Sequence, residues 1–363
     1  MAIEHGTTGR GRFGRLLVHT AEPVNAEAPP QELATPGPTP VDAFFVRSHG
    51  AVPEIDPATF RLAIDGAVDR PVSLSLAELQ ERYLADTVTA TLQCAGNRRT
   101  ALLAVRAVPG EVPWDIGAIG TADWTGVALA DVLRDVGVRP TAQHVAFWGA
   151  DTCMKASEAF GGSVPLEKAR RPEVLLAWAM NGAPLTPDHG APLRVVVPGY
   201  IGARSVKWVE RIVLQDHSSD AYHQRRAYRM LPPDGVAGDG VGVELGVLPV
   251  TADILLPVEG EAVPAGRLTV NGHAFAGCGR TITRVDVSGD GGHTWTVAEL
   301  LEDAGPWARR RWRADVDVAA GAVELVARAY DSAFASQPED PAALWNPKGY
   351  MNNSWSRVHI SAT

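Results

Sequence analysis

One cysteine of the chain has neighbours that suit a reactive or metal-binding thiol. Residues 87–93 alternate apolar and polar side chains and predict a half-buried strand, which would deliver Cys94 to the loop at its end. The sequence Ala-Gly-Asn-Arg-Arg follows, and arginines near a thiol favour the thiolate, the form that acts as a nucleophile or a soft metal ligand. A small buried hydrophobe is the alternative for a lone cysteine. We keep that alternative for Cys153 and Cys278.

Basic residues cluster in four short segments that could bind an anion. These segments are Arg47-Ser-His49, Asn97-Arg98-Arg99, residues 189–194 and residues 204–207. Arginine forks and backbone amides at strand ends are what a buried phosphate or a small oxyanion requires. For each segment alone, solvated surface charge is the alternative interpretation.

Length and composition limit the class of protein. A chain of 363 residues predicts two or more folded units, and 45% hydrophobic with 21% charged residues is typical of globular proteins. The formal charge of -9 argues against nonspecific binding to nucleic acid or anionic membranes. Three cysteines without a CxxC pair indicate neither a zinc site nor a disulfide framework. With no apolar run long enough to span a membrane and no signal sequence, we expect a cytoplasmic protein, or a periplasmic one if a signal has been removed.

Residues 1–40 predict an irregular N-terminal arm, because they contain six prolines and no sustained apolar periodicity. The arm includes Gly9-x-Gly11-x-x-Gly14, which has the spacing of a dinucleotide-binding motif. No strand precedes these glycines and proline-rich sequence follows, so we interpret the motif as a chance match.

Residues 41–230 predict a mixed α+β domain rather than a doubly wound sheet. The capping box Ser75-Leu-Ala-Glu78 predicts a helix that continues through Tyr83, and residues 127–136 predict a second helix that ends at Gly137. Besides residues 87–93, strands are expected at residues 60–68, 144–148, 174–180, 193–197 and 206–214.

Residues 231–247 predict a linker, since they hold two prolines and five glycines. Residues 248–363 then predict an immunoglobulin-like β-sandwich. Turn signals such as Asn271-Gly272 and Asp290-Gly291-Gly292 separate its short alternating runs, which lie at residues 251–256, 267–275, 282–288, 295–300, 309–317, 322–330 and 355–361.

Taken together, these motifs resemble the sulfite oxidase family of molybdopterin-dependent oxidoreductases. The resemblance covers about residues 42 to 361, and long motifs in the same order are more specific than an isolated pattern. The motifs are Phe44-Phe-Val-Arg-Ser-His49, Thr89-Ala-Thr-Leu-Gln-Cys-Ala-Gly-Asn-Arg-Arg99, Pro113-Trp-Asp-Ile-Gly-Ala-Ile119, Asp188-His-Gly-Ala-Pro-Leu-Arg-Val-Val-Val-Pro-Gly199, Gly202-Ala-Arg-Ser-Val-Lys-Trp208, Asp290-Gly-Gly-His-Thr-Trp295 and Trp345-Asn-Pro-Lys-Gly349.

The resemblance implies a sulfite oxidase fold that binds one molybdenum-molybdopterin cofactor, followed by an immunoglobulin-like domain through which the chain forms a homodimer. It implies that Cys94 is the protein ligand of molybdenum, and that Arg47, Arg99 and Trp114 surround the substrate oxyanion. The implied cofactor-binding residues are Phe45, Val46, Arg47, Ser48, His49, Asp151, His189, Arg194, Arg204, Ser205, Val206 and Lys207.

Two implied catalytic positions depart from the sulfite oxidase pattern. Trp178 stands where the resemblance places a tyrosine beside the active site, and an indole cannot relay a proton as a phenol can. Lys348 stands where sulfite oxidases carry a substrate-contacting arginine, and lysine keeps the charge but loses the bidentate fork. These substitutions leave open neutral drift, a tyrosine supplied from elsewhere in the chain, a slower enzyme or a changed substrate.

The resemblance implies oxidation of sulfite to sulfate by oxygen-atom transfer. We expect no haem or flavin domain in the chain, so electrons would leave through an external acceptor: cytochrome c, another carrier or oxygen. One alternative is that the same cofactor reduces nitrate or an S-oxide, since Met351-Asn-Asn-Ser-Trp355 also resembles the nitrate-reducing branch. Another alternative is a noncatalytic binding protein.

Overall fold

The larger hydrophobic core lies between two five-stranded sheets in the first part of the chain. The computed structural model describes residues 13–236 and 241–363. In this first part, the strands are β1 Leu17–Thr20, β2 Asn25–Glu27, β3 Val46–Arg47, β4 Leu62–Gly66, β5 Val72–Leu74, β6 Ala85–Gln93, β7 Ile119–Ala128, β8 His144–Cys153, β9 Glu158–Pro165, β10 Leu175–Met180, β11 Ala183–Pro184, β12 Arg194–Val196, β13 Val209–Gln215, β14 Arg229–Met230 and β15 Val243–Glu244. The helices are α1 Pro30–Ala34, α2 Leu76–Arg82, α3 Arg99–Val105, α4 Leu129–Val136 and α5 Leu166–Ala169.

One of the two sheets has the strand order β11-β10-β7-β6, with β12 also paired to β10, and the other has the order β5-β4-β13-β8-β9. The pairing of β4 with β13 is parallel, and the other pairings described within these two sheets are antiparallel. Helices α2 and α4 place buried leucines and valines in the core between the sheets. The α+β prediction for this domain is therefore confirmed.

Local signals correctly predicted several elements. Ser75 and Glu78 form the expected capping box at α2: the Glu78 backbone N–H donates to Ser75 Oγ at 3.1 Å, and the Ser75 backbone N–H donates to Glu78 Oε2 at 2.8 Å. Helix α4 begins later than expected because β7 continues to Ala128, and it ends at Gly137, whose φ of 71° is in the left-handed region. Strand β6 ends at Gln93, so Cys94 opens the following loop as predicted.

The described part of the N-terminal arm is more regular than predicted. Strands β1 and β2 pair with each other, and β2 pairs with β3 through Asn25 opposite Arg47. The buried Glu27 carboxylate accepts hydrogen bonds from the backbone N–H groups of Asp115 and Gly117. These contacts attach residues 13–40 to the first domain. The short strands were not predicted because they lie among prolines. Most of the Gly9 to Gly14 motif lies outside the described residues.

The second part of the chain is a β-sandwich with its own core. Its sheets have the orders β16-β18-β22-β21 and β17-β24-β23-β19-β20. The strands are β16 Thr251–Leu256, β17 Ala262–Val263, β18 Gly266–Phe275, β19 Ile282–Ser288, β20 Thr296–Val297, β21 Glu299–Leu300, β22 Arg310–Val318, β23 Gly321–Asp331 and β24 Ser356–Ala362. The predicted linker contains β15, which pairs with β14. Residues 237–240 of the linker are not among the described residues.

One of the two predicted turns in the sandwich is wrong. Residues 290–292 do form a turn between β19 and β20, with positive φ at both glycines. Asn271 and Gly272 instead lie inside β18, where Gly272 is opposite Trp312. A Cβ atom at Gly272 would overlap the Trp312 indole, so this glycine makes room for a core side chain rather than for a turn.

A buried ion pair joins the loop after Cys94 to the sandwich. Arg98 Nε lies 2.9 Å from Asp253 Oδ1, and Arg98 Nη1 donates to the carbonyl of Ser354 at 2.7 Å. Burial alone would raise the pKa of Asp253, but Arg98 and the neighbouring His273 together hold it below its usual value. Asp253 therefore remains a carboxylate and anchors the Cys94 loop to the second domain. In the described part of the chain, no helix has both the length and the apolar character to cross a bilayer.

We expect Arg98→Met to lower the free energy of unfolding by about 3–5 kcal/mol, because it leaves the fully buried Asp253 charge without its partner. The measurement is urea unfolding followed by tryptophan fluorescence. Arg313→Met is the matched control, since Arg313 pairs with Glu299 at the surface and its loss should cost at most about 1 kcal/mol. Equal losses for the two variants would contradict a structural role for the buried pair.

Candidate active site

Cys94 is buried in the loop between β6 and α3, and its Sγ accepts a hydrogen bond from the Gly96 backbone N–H at 3.4 Å. A Cβ atom at Gly96 would overlap the Arg99 guanidinium, so glycine allows that guanidinium to pack beside the loop. Burial raises the pKa of the Cys94 thiol, although Arg47 and Arg99 oppose the change. The arginines alone thus do not produce the thiolate that we expected from the sequence. A soft metal cation bound to Sγ would displace the proton.

A cavity with about 680 Å³ of empty space, part of it open to solvent, lies on one side of Cys94. It contains ten of the twelve predicted cofactor-binding residues, contributed by the Phe44–His49 segment, by β8 and by residues 189–207, which include β12. These ten residues are Phe45, Val46, Arg47, Ser48, His49, Asp151, His189, Arg194, Ser205 and Lys207. The structure therefore brings together segments that lie as much as 160 residues apart in the sequence, as the pattern of basic segments predicted.

Buried cations in this cavity make hydrogen bonds to neutral acceptors. Arg194 donates to the carbonyls of His189 and Ser205 at 2.9 and 3.1 Å, and Lys207 Nζ donates to Ser48 Oγ at 3.1 Å. Burial lowers the pKa of Arg194 to about 9, and burial together with Arg194 lowers the pKa of Lys207. Each cation is destabilised by lost hydration, so an anion in the cavity would stabilise both. A phosphate group has the charge and acceptor atoms that this wall requires.

Asp151 adds a hydrogen-bond acceptor of negative charge to the cavity that contains these cations. The residue lines the same cavity, and its buried Oδ1 atom has no hydrogen-bond partner among the described residues. Burial raises the pKa of Asp151, with Lys207 opposing the change. An unpaired buried acceptor is costly, and the ring N–H groups of a pterin would satisfy it. The basic wall and this acceptor therefore fit a pterin that carries a phosphate.

Two of the twelve predicted residues do not line the cavity. Arg204 is buried behind it, where Nη2 donates to the Leu245 carbonyl at 2.6 Å and lies 3.4 Å from Glu244 Oε1. Val206 packs in the large core, and its carbonyl accepts a hydrogen bond from the Val195 N–H. These two residues support the segment from which Ser205 and Lys207 reach the cavity.

A second cavity, of about 190 Å³, adjoins Cys94 on another side. Arg47, Cys94 and Tyr228 line both cavities. The remaining residues of the small cavity are Arg99, Glu111, Val112, Trp114 and Tyr350. The two guanidinium groups suit a small oxyanion placed next to the thiol.

The backbone near residue 349 holds Arg99 in place. Arg99 Nε donates to the Lys348 carbonyl at 3.0 Å, and the guanidinium lies 5.3 Å from the centre of the Tyr350 ring. Gly349 has a φ of 56°, and a Cβ atom there would overlap the Arg99 side chain. The segment after the sandwich strand β23 therefore returns to the first domain and completes the small cavity.

Trp178, like Lys348, is a predicted catalytic residue that lines neither cavity. Trp178 lies on β10, half-buried against the large core. Tyr228 takes the place expected for a phenol, since its hydroxyl and His49 Nε2 share a hydrogen bond of 2.9 Å. Burial raises the pKa of Tyr228, so the hydroxyl keeps its proton. Of the alternatives left open by the sequence, a tyrosine from elsewhere in the chain is the one the geometry favours.

Three residues of the site were missed in the sequence. Tyr228 follows a single π-helical turn, His223–Ala227, and such turns often lie at functional sites. Tyr350 lies directly after the Trp345–Gly349 motif and outside it. Glu111 lies in a loop without a recognisable pattern, and only the tertiary structure shows that it faces the small cavity.

Comparisons with known proteins agree with this geometry. Residues 49–223 match the family model described as the oxidoreductase molybdopterin binding domain, and residues 244–363 match the Mo-co oxidoreductase dimerisation domain. The chain is therefore a molybdopterin-binding oxidoreductase, and the basic cavity beside Cys94 has the charge such a cofactor needs.

Comparison with individual proteins shows which family of molybdopterin-binding oxidoreductases the chain belongs to. Sulfite oxidase from Gallus gallus is 44% identical over 360 residues, which cover 95% of this chain and 78% of that protein. Sulfite oxidase from Arabidopsis thaliana is 39% identical, with coverage of 96% and 94%. Mitochondrial sulfite oxidase from Homo sapiens is 44% identical, and the alignment covers 96% of this chain and 66% of the human protein. The chain belongs to the sulfite oxidase family.

A solved structure supports the fold over both domains. The sulfane dehydrogenase SoxCD from Paracoccus pantotrophus superimposes with a TM-score of 0.81 at 30% sequence identity, and the match covers 95% of this chain and 88% of that chain. The predicted combination of a molybdopterin-binding domain and a β-sandwich is thus confirmed.

Proposed function

We propose that this protein oxidises sulfite to sulfate and passes the electrons to an external acceptor. The observation that carries the proposal is the small cavity beside Cys94, where two guanidinium groups and two phenols converge next to the thiol. Relatives that align with most of the chain and are named sulfite oxidases support the choice of substrate.

In this proposal Cys94 Sγ binds molybdenum, and the large cavity holds the pterin and its phosphate. Arg194, Lys207 and Ser48 would bind the phosphate, while Asp151 would accept from the pterin ring. When bound, the cofactor supplies the oxygen-atom transfer and two-electron redox chemistry that no side chain can supply. Arg204 and Val206 would hold in place the backbone from which Ser205 and Lys207 reach the cavity.

The residues of the small cavity bind and orient the substrate. Arg47 and Arg99 neutralise its charge, and their fixed positions keep it beside Cys94. Trp114, which is buried, closes the wall and excludes water. With the His49 Nε2–H donating to its oxygen, the protonated Tyr228 hydroxyl is free to donate its own hydrogen to a substrate oxygen and to stabilise charge that develops there.

We expect Tyr228→Phe to lower kcat about 100-fold, the loss typical of removing one buried donor from developing negative charge. Trp178→Phe should change kcat less than about threefold, because Trp178 lines neither cavity and the substitution retains an aromatic ring against the core. The measurement is steady-state turnover normalised to molybdenum content. Comparable losses in both variants would contradict the assignment of Tyr228 rather than Trp178.

Reduction of nitrate is the second candidate. The nitrate reductase from Hordeum vulgare is 39% identical over 370 residues, but the alignment covers 41% of that protein. Parallel assays with sulfite plus ferricyanide and with nitrate plus reduced dye separate the two directions of oxygen transfer. We expect turnover with sulfite to exceed that with nitrate, and the reverse order would favour the nitrate reaction. Protein purified without molybdenum would favour a noncatalytic role.

We further propose that the protein is a homodimer and that the sandwich forms its interface, because residues 244–363 match a dimerisation domain. The physiological acceptor is cytochrome c, another one-electron carrier or oxygen. Stopped-flow reoxidation with each acceptor identifies it by the fastest rate.

A further inference from the structure

Glu111 is the only acidic side chain among the described residues that line the small cavity. Its side chain is 10% exposed, so little water screens its charge. The negative charge of Glu111 acts on other groups of the site, because it contributes to raising the pKa of Cys94, Tyr228 and Tyr350. A carboxylate in this place repels the anion that Arg47 and Arg99 attract.

Lys348 lies behind this carboxylate rather than in the cavity. Its Nζ forms a close ion pair with Glu111 Oε1, and Lys348 is absent from the residues that line the small cavity. Both side chains are largely buried, and Arg99 Nη2 lies 3.9 Å from the other carboxylate oxygen. Both carboxylate oxygens of Glu111 therefore have a cation within 4 Å.

We propose that Glu111 sets the charge of the substrate cavity, and that Lys348 acts through Glu111 as its counter-ion instead of contacting the oxyanion. Glu111 is thus a specificity-determining residue and Lys348 a positioning residue. The inference deepens the proposed function and rests on it for the identity of the substrate. It also explains why lysine suffices where sulfite oxidases carry an arginine: one ammonium group is enough to neutralise one carboxylate oxygen.

Charge counting predicts the effect of each variant. In the native protein Glu111 and Lys348 contribute no net charge. Lys348→Met leaves one negative charge facing the substrate, Glu111→Gln leaves one positive charge, and the double variant again leaves none. A direct contact between Lys348 and the oxyanion predicts a different pattern, because the double variant would still lack that contact.

The test is calorimetric binding of sulfate, an unreactive dianion, to the molybdenum-loaded protein at low ionic strength. We expect Lys348→Met to weaken binding about tenfold and Glu111→Gln to strengthen it about fivefold, as one unit charge does in a partly screened site. The double variant should return to within about threefold of the native Kd. A double variant as weak as Lys348→Met would overturn the proposal, as would an absence of sulfate binding in the native protein.

Lys155→Met is the matched control. Lys155 Nζ also lies 3.9 Å from Glu111 Oε1, but its side chain is 65% exposed, so its removal should change the sulfate Kd less than about twofold. Sulfite kinetics provide the second readout: KM should follow the sulfate Kd across the four forms, while kcat changes much less. If kcat falls with KM unchanged, Glu111 acts on the chemical step and the proposal is wrong.

Different results would disprove sulfite oxidation and the counter-ion role of Lys348. Rescue of sulfate binding in the double variant, without sulfite turnover in the native protein, would disprove sulfite oxidation and leave the roles of Glu111 and Lys348 intact. Sulfite turnover without rescue would retain the enzyme and disprove the counter-ion role.

Discussion

Replacing Cys94 with serine is expected to lower sulfite turnover by well over a hundredfold while the protein still folds. Removing a residue that hydrogen-bonds to a metal ligand typically lowers activity about 10–100-fold. Removing the ligand itself should lower it more. A serine hydroxyl is a harder and far less acidic ligand than a thiol, so it does not replace the soft thiolate. Turnover per molybdenum and the electron paramagnetic resonance spectrum of the metal are the two measurements.

Cys278→Ser is the control for this variant, because Cys278 is an exposed cysteine and lines neither cavity. It should leave both the turnover and the spectrum unchanged. Native-like turnover in Cys94→Ser would show that the thiol is not the metal ligand, and the remaining roles assigned around it would have to be redrawn.

Replacing Arg194 with methionine is expected to reduce cofactor retention by about 30-fold or more. Truncating one member of a buried, charge-assisted contact costs about 2–5 kcal/mol, because the other charge is left unpaired. The measurement is molybdenum and pterin content after purification under identical conditions. Arg211→Met is the control, since Arg211 lies on the neighbouring β13, pairs with Asp65 at the surface and should retain the full cofactor content.

The stability of the cofactor-free forms separates binding from folding in this experiment. In the absence of an anion, Arg194 is a buried cation that makes hydrogen bonds only to carbonyls among its described contacts. Removing a buried charge that has no counter-ion recovers its desolvation cost, which offsets the loss of these hydrogen bonds. We therefore expect cofactor-free Arg194→Met to unfold at the same urea concentration as the cofactor-free native protein, or higher. Full cofactor content in this variant would contradict the phosphate role.

Local sequence signals predicted the elements whose causes are local. The capping box at Ser75 needs only a hydroxyl and a carboxylate three residues apart, and the strand before Cys94 needs only alternation. The strands β1 and β2 could not be predicted in this way. They are short, they lie among prolines, and β2 is held by its pairing with β3 some twenty residues later.

The cofactor cavity was more predictable than the substrate cavity. Arg47, Arg194 and Lys207 belong to compact basic motifs, so their chemistry is visible before folding. Tyr228 and Glu111 reach the small cavity only through tertiary packing, and Trp178 faces the core although its motif suggested the site. A single residue in a loop has no periodicity, so the sequence does not indicate which cavity it faces.

The central claim is that the chain couples sulfite oxidation to an external acceptor at a molybdenum site beside Cys94. The most direct test is sulfite-dependent reduction of ferricyanide by protein of known molybdenum content. We predict turnover proportional to molybdenum, with two ferricyanide ions reduced for each sulfite consumed. Protein fully loaded with molybdenum that does not reduce ferricyanide with sulfite would contradict the claim, and the search would move to other oxyanions and S-oxides.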